Sequence, residues 1–222
     1  FTSADGTVLQ GWFMPAAGPA KATVVHFHGN AQNMTAHAGL VDWLAAEGYN
    51  VFTFDYRGYG RSQGRPSRRG LYQDCLGAVA YVRTRPEVAG GELVLFGQSL
   101  GAAQAIALMG NERLTDVVAV VAESPFYSYR SRVRDSLAAM PGLRYVRWPL
   151  SGLIVADFLS PGDVVGEIAP VPLLLIHGAE DEVIDIRHSE RLFAEAGEPK
   201  QFWRVEECGH LEVFSTQATR YR

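Results

Sequence analysis

The sequence predicts an α/β fold, a mostly parallel central sheet covered by helices on both faces, and three observations carry that prediction. Short apolar runs of strand length alternate with helical stretches along most of the chain. One run, 92–96, passes through Gly97-Gln98-Ser99-Leu100-Gly101 into the small-residue stretch 100–109, which is a strand, a tight turn and a helix in succession. At 222 residues, 47% hydrophobic and 20% charged, the chain is long enough for one sizeable core and short for two, so a single domain over 1–222 is expected.

The elements follow in order. Strands are expected at 9–14, 23–27, 51–54, 93–96, 117–121, 173–176 and 202–205; the first of these is expected to form an antiparallel hairpin. Val, Leu, Ile and Phe dominate the central runs, as strands buried on both faces require, whereas 201–205 (Gln-Phe-Trp-Arg-Val) alternates. Helical stretches are expected at 35–47, around Cys75, at 100–109, at 185–196 and from about Leu211. No internal repeat, low-complexity tract or linker interrupts the series.

The turn at Ser99 carries the chemistry. A side chain two residues to either side of a serine on so tight a turn would strike the neighbouring strand or helix, and glycine at 97 and 101 relieves both clashes. The strained turn lifts the hydroxyl above the sheet edge and aims a helix N-terminus at charge developing there. A serine needs a base to take its proton and an acid to orient that base. Asp181 follows the strand that ends in His177-Gly178, and His210 follows the strand at 201–205, giving the chain order Ser99, Asp181, His210. Glu180, Glu182 and Asp185 compete for the acid position, and Asp181 is preferred on its offset from His177-Gly178. Backbone amides of Asn30, in the loop after His28-Gly29, and of Leu100 are the expected oxyanion donors. His37 and His188 fall in helical stretches that suit capping or solvated roles, and His26 with His28 is a bare H-x-H pair, too little to indicate a metal. No metal or cofactor is expected.

On these residues the chain resembles the α/β-hydrolase fold serine hydrolases, and within them the Bem46-like group. The matching stretches are Ser3-Ala4-Asp5-Gly6 through Phe13, His28-Gly29-Asn30-Ala31-Gln32-Asn33, Asp55-Tyr56-Arg57-Gly58-Tyr59-Gly60-Arg61-Ser62, the elbow, His177-Gly178 with Asp181, and Gly209-His210. They leave out roughly 125–166, and Asp185 stands where many members of the group have proline. The resemblance implies acyl transfer to water, with a carboxylic ester as first choice of substrate. A thioester, as in a depalmitoylase-like enzyme, comes second and a peptide third. The rival from another class is a non-catalytic α/β-hydrolase scaffold that binds a ligand or partner; an intact triad argues against it.

Two irregular stretches remain. Residues 55–70 carry Arg57, Arg61, Arg65, Arg68 and Arg69 among glycines and read as a solvated loop braced by Asp55 and Arg57. Residues 125–166 break the alternation where this fold places a cap. Their first part holds Arg130, Arg132, Arg134, Arg144 and Arg147 against Asp135 alone; the second, from Trp148 to Leu159, is apolar. The sequence leaves two readings of this cap. In one, Trp148 and Phe158 contact an acyl or lipid-like substrate while the arginines meet an anionic head group or an acidic membrane surface. In the other, the cap is a lid with a solvated basic face.

A formal net charge of −4 argues against a nucleic-acid surface. Cys75 and Cys208 give no disulfide framework, and Cys208 reads as a packing thiol sooner than a second nucleophile. No run of about eighteen apolar residues exists to span a membrane. Because the chain starts at Phe1, the expectation is a soluble domain with room for a removed signal peptide or anchor, and the compartment and oligomeric state are left open.

Overall fold

The structure is a computed structural model that describes residues 1–217; the side chain of Arg144, one of the cap arginines, lies outside the described set. Seven strands form one sheet in the order β1-β3-β2-β4-β5-β6-β7. They are β1 Gly11–Met14, β2 Thr23–Phe27, β3 Asn50–Phe54, β4 Leu93–Gln98, β5 Val117–Glu123, β6 Leu173–Gly178 and β7 Lys200–Val205. Every pairing is parallel except β1 with β3. This is the α/β-hydrolase arrangement expected from the sequence.

The expected first hairpin does not form. β1 is antiparallel, but it runs beside β3 and not beside β2. Burial explains the exchange: every residue of β2 is buried and it needs a parallel neighbour on each side, whereas β1 is only partly covered and suits the sheet edge. The expected helix at 35–47 is also broken. It becomes α1 Met34–His37, a 3₁₀ turn at Ala38–Leu40 and α2 Trp43–Ala46, with Gly39 in the middle of the interruption. The last helix, α8 Val213–Thr216, starts two residues later than expected because Leu211 has φ 59°, outside the helical region.

Two longer helices flank the sheet before the cap. α3 Arg68–Arg83 is capped by Ser67, whose hydroxyl accepts from the Gly70 amide. α4 Leu100–Glu112 is buried along almost its whole length, and its alanines let it lie close on the sheet. Burial of Ile106 and Leu108, each fully covered, is worth roughly 2–3 kcal/mol apiece.

The cap, 125–166, lies between β5 and β6 and contains α5 Tyr129–Ala138 and α6 Arg147–Ile154. A capping box starts α5, in which the Ser128 and Ser131 side chains satisfy each other's backbone amides. After β6 comes α7 Arg187–Glu195. Among the described residues no helix is long and apolar enough to cross a membrane.

Candidate active site

Ser99 ends β4 and begins α4 with φ 54° and ψ −112°, a conformation that an L-residue holds only when its surroundings enforce it. The enforcement is visible on both sides. A Cβ at Gly97 would lie 2.2 Å from the Gly101 carbonyl oxygen, and one at Gly101 would lie 1.8 Å from the Phe27 carbonyl oxygen. Beneath the turn, the Ser99 amide donates to the Glu123 carbonyl at 2.8 Å. The loop after β2 reaches the same place: a Cβ at Gly29 would stand 3.6 Å from Ser99 Cβ, which sets Asn30 beside the elbow. Asn30 is held there by the Tyr59 hydroxyl, which donates to its Oδ1 at 2.5 Å.

Asp181 and His210 meet at the far side of the same sheet edge. The loops after β6 and β7 are laced together by two backbone bonds, from the Ala179 amide to Val205 O at 2.7 Å and from the Glu180 amide to Cys208 O at 3.0 Å. Gly178 permits the approach, since a Cβ there would sit 2.2 Å from Cys208 O. His210 Nδ1 then donates to Asp181 Oδ2 at 2.7 Å. The other carboxylate oxygen accepts the Val183 and Ile184 amides at 2.9 and 2.8 Å. Burial would raise the Asp181 carboxyl, but hydrogen bonds from His177, His210 and the Ile184 amide outweigh it and hold the group well below the usual carboxylate range. Asp181 is therefore a fixed anion against the imidazole. Among the competing acids, Asp185 is engaged by Arg187 at 2.7 Å.

Ser99 and the Asp181–His210 pair thus come to the carboxyl ends of β4, β6 and β7. Among the described residues no hydrogen bond joins the Ser99 hydroxyl to His210, a contact that in substrate-free enzymes is often loose.

Further residues support this edge. His177 is fully buried; its Nδ1 accepts from the Ser189 hydroxyl at 2.7 Å, and its Nε2 faces Ile184 O at 2.8 Å and Asp181 Oδ2 at 3.2 Å. The signal for it was a histidine at the buried end of an apolar strand, where a polar side chain needs partners. Gln98, under the elbow, bridges His26 at 3.1 Å and Glu123 at 2.7 Å. Asp55 accepts the Met34 amide at 2.6 Å and so anchors the Asn30 loop from behind, while Arg57 pairs with Asp74 and Asp5, the bracing expected of that motif.

The remaining histidines and the thiol are engaged elsewhere. His26 is bonded at both ring nitrogens, to Thr53 and Gln98, and burial holds it neutral down to about 3. His28 donates from Nδ1 to the Gly29 carbonyl and is held neutral down to about 4, again by burial. His188 bridges the Tyr127 amide and Asp135, His37 stacks on His28, and Cys208 is buried against Thr216. Among the described residues no group of His, Cys, Asp and Glu is placed to hold a metal.

The two cap residues expected at the substrate lie apart. Trp148 is 62% exposed, carries the Arg134 guanidinium 3.6 Å above its ring, and lines a groove of about 750 Å³ that runs to Asp181, Glu182 and Val183. Phe158 lies under Arg68, whose guanidinium is 4.7 Å from its ring and 3.9 Å from that of Tyr129. Arg68 also donates to the Ala156 and Phe158 carbonyls, so it clamps the end of the cap to α3.

A family model described as serine aminopeptidase, S33, matches residues 18–162. The chain belongs to this hydrolase family. The matched span holds the Asn30 loop and the elbow but ends before Asp181 and His210. Over 219 residues the hydrolase is 42% identical to the uncharacterized protein YfhR of Escherichia coli K12, covering 97% of this chain and 73% of that one. It is 31% identical to alpha/beta hydrolase domain-containing protein 17B of Xenopus laevis over 90% of this chain and 64% of the other. Among solved structures, the Pyrococcus furiosus esterase Pf2001 superposes with a TM-score of 0.79 at 22% identity, covering 99% of this chain and 85% of its own. Acetyl xylan esterase from Paenibacillus sp. R4 gives 0.79 at 19% identity, with 99% and 80% covered. At these identities the two structures speak for the fold alone.

Proposed function

We propose that this hydrolase cleaves carboxylic esters through a Ser99-Asp181-His210 triad and an acyl-enzyme, in the manner of the Bem46-like group that its motifs resemble. The single observation that supports the reading best is the pairing of His210 Nδ1 with a buried Asp181, whose carboxyl is held below the usual carboxylate range, at the same sheet edge as a serine in a strained turn.

In this mechanism His210 Nε2 accepts the Ser99 proton as Oγ attacks the substrate carbonyl. Asp181 fixes the tautomer by accepting from Nδ1 and stabilises the imidazolium that forms. The Asn30 and Leu100 amides receive the oxyanion, each donor being worth on the order of 3 kcal/mol in the transition state. His210 gives its proton to the leaving alcohol, then takes one from the water that attacks the acyl carbonyl, and returns it to Ser99 Oγ as the acyl–Oγ bond breaks and the acid leaves. No cofactor enters. His177 is a positioning residue: its Nε2, bonded to the Ile184 carbonyl at 2.8 Å, lies 3.2 Å from the same carboxylate oxygen that His210 reaches.

A second reading, peptide hydrolysis, is favoured by the description of the family model. Thioester cleavage uses the same machinery and is separated from it only by substrate. The test is a fluorophosphonate probe followed by matched ester, thioester and aminoacyl anilide substrates. Labelling at Ser99 with ester turnover ahead of the other two is the expected result. Anilide turnover ahead of ester would move the enzyme to the peptidases, and no labelling of folded protein would leave a non-catalytic scaffold.

A further inference from the structure

α6 is built inside out. Its one buried residue is Ser151, which sits fully covered with its hydroxyl turned back to the Trp148 carbonyl at 3.1 Å. The residues around it that would ordinarily make a core face water: Leu153 is 84% exposed, Ile154 56% and Trp148 62%, with Tyr145 just before the helix at 75%. Large apolar side chains scattered singly on a surface need no explanation, but a helix whose buried residue is a serine, with Leu150 partly covered and Trp148, Leu153 and Ile154 grouped outside, calls for an apolar neighbour.

The charges beside it say which neighbour. Arg132, Arg134 and Arg147 border the groove under Trp148, and among the described residues none has a carboxylate within ion-pair distance. Arg83, Arg113 and Arg204, elsewhere on the surface, each hold one. Of the four acids on the groove, three are committed, Asp135 to His188 at 2.8 Å, Asp185 to Arg187 at 2.7 Å and Asp181 to His210 at 2.7 Å, leaving Glu182. A protein core partner would be matched by apolar groups alone. Unpaired arginines beside exposed Trp, Tyr, Leu and Ile fit the boundary of a bilayer, where aliphatic side chains enter the acyl layer, rings sit at head-group depth and cations meet acidic lipids.

The geometry points to the outer face of α6, with Arg132, Arg134 and Arg147, as a docking surface for a membrane that carries anionic lipid. The formal net charge is −4, so attraction to such a membrane has to come from this patch and not from the protein as a whole. The groove that runs from Trp148 opens beside the same surface and reaches Asp181, the acid of the candidate triad, but Ser99 and His210 do not line it. The inference concerns binding and stands independently of the chemistry proposed for Ser99.

The experiment is co-sedimentation of the full chain with phosphatidylcholine vesicles, with and without phosphatidylserine, at low and high salt. Hydrolysis of a short soluble ester and circular dichroism are followed in parallel. The wild type is expected to sediment with the phosphatidylserine vesicles and to be released by salt. Arg132→Ala with Arg147→Ala should weaken binding by about 25-fold at low salt, at about fivefold per arginine. Leu153→Ser with Ile154→Ser should weaken it at both salt concentrations, and both double variants should keep their circular dichroism and ester turnover. Wild type left in the supernatant with either vesicle, or binding unchanged in both double variants, overturns the inference. So does a Leu153→Ser, Ile154→Ser variant that turns a dimer into a monomer in sedimentation velocity while vesicle binding is absent, since the face would then be covered by a second copy. A wild type that binds vesicles but cleaves no ester would sink the proposed function and leave the docking surface standing.

Discussion

The elbow and the cap are opposite ways of using the same kinds of residue. At the elbow, atoms are so close that a single methyl group has no room, and Ile106 and Leu108 of α4 are fully buried. In the cap, α6 turns Leu153 and Ile154 to the outside and a methyl group at Gly152 would meet nothing within 4 Å. The difference teaches where this molecule has fixed its geometry and where it has left surface for something else. The fixed region supports a reaction that demands sub-ångström placement, and the loose region supports contact with whatever is brought to it.

The sharpest attempt to break that contrast is at the nucleophile. Ser99→Ala should lower ester turnover by on the order of 10⁴-fold or more and abolish fluorophosphonate labelling while leaving the thermal midpoint near that of the wild type. Turnover that survives this change would remove Ser99 from the mechanism. Asp181→Asn comes next, with a loss approaching 10⁴-fold in kcat because the histidine tautomer is no longer fixed; Asp185→Asn, which removes only an exposed pair with Arg187, should cost less than about tenfold. Steady-state rates of the two variants side by side decide the acid.

Two stability measurements set the regions directly against each other. Gly101→Ala forces a Cβ to within 1.8 Å of the Phe27 carbonyl oxygen and should destabilise the fold by about 3 kcal/mol or more in denaturant titration. Gly152→Ala, in an open helical position, should be neutral or stabilising by up to about 1 kcal/mol. Equal effects at the two sites would erase the distinction between packed and open glycines.

Acid should also act on the packed half. His26 and His28 are held neutral down to about 3 and 4 by burial. In the unfolded chain an imidazole takes up its proton near pH ~6.5, so below that the unfolded state binds more protons and stability falls as pH drops, reaching its floor at the folded values. The thermal midpoint should therefore decline between about pH 6.5 and 4, and His26→Gln should flatten the slope. Asp181, held below the carboxylate range, adds no acid limb to activity in that window. The smallest effect belongs to the cap: Trp148→Ala should shift preference between short and long acyl esters by a few fold, each lost methylene contact being worth about 1 kcal/mol. An unchanged chain-length profile would remove Trp148 from the substrate.

Legibility in the sequence followed the range over which the physics acts. Gly97 and Gly101 were readable because the clash they relieve is confined to a few residues, and Asp181 and His210 because each lies at a short offset from a strand end. The place of β1 was not, since its pairing with β3 skips over β2 and no local pattern reports which edge an amphipathic strand will take. The sequence shows His177 as the end of a strand before a glycine turn, but its contacts depend on Asp181, Ile184 and Ser189 arriving from further along the chain. In the cap the sequence showed an apolar stretch but not its direction. Trp148 and Leu153 point outward because Ser151 takes the inner face of α6, and composition does not contain that choice.

The lacing of the loops after β6 and β7 has a consequence for how the enzyme could be altered. With Gly178 pressed against Cys208 and backbone bonds tying Ala179 and Glu180 to the other loop, acid and base form one mechanical part and the serine another. A change in sheet twist or a bulky substrate would slide one part against the other and alter the serine-to-histidine reach, while the histidine-to-aspartate bond travelled intact. Variation in rate among substrates or mutants of the surrounding loops would then be registered at a single joint, and remodelling this hydrolase would amount to adjusting that joint.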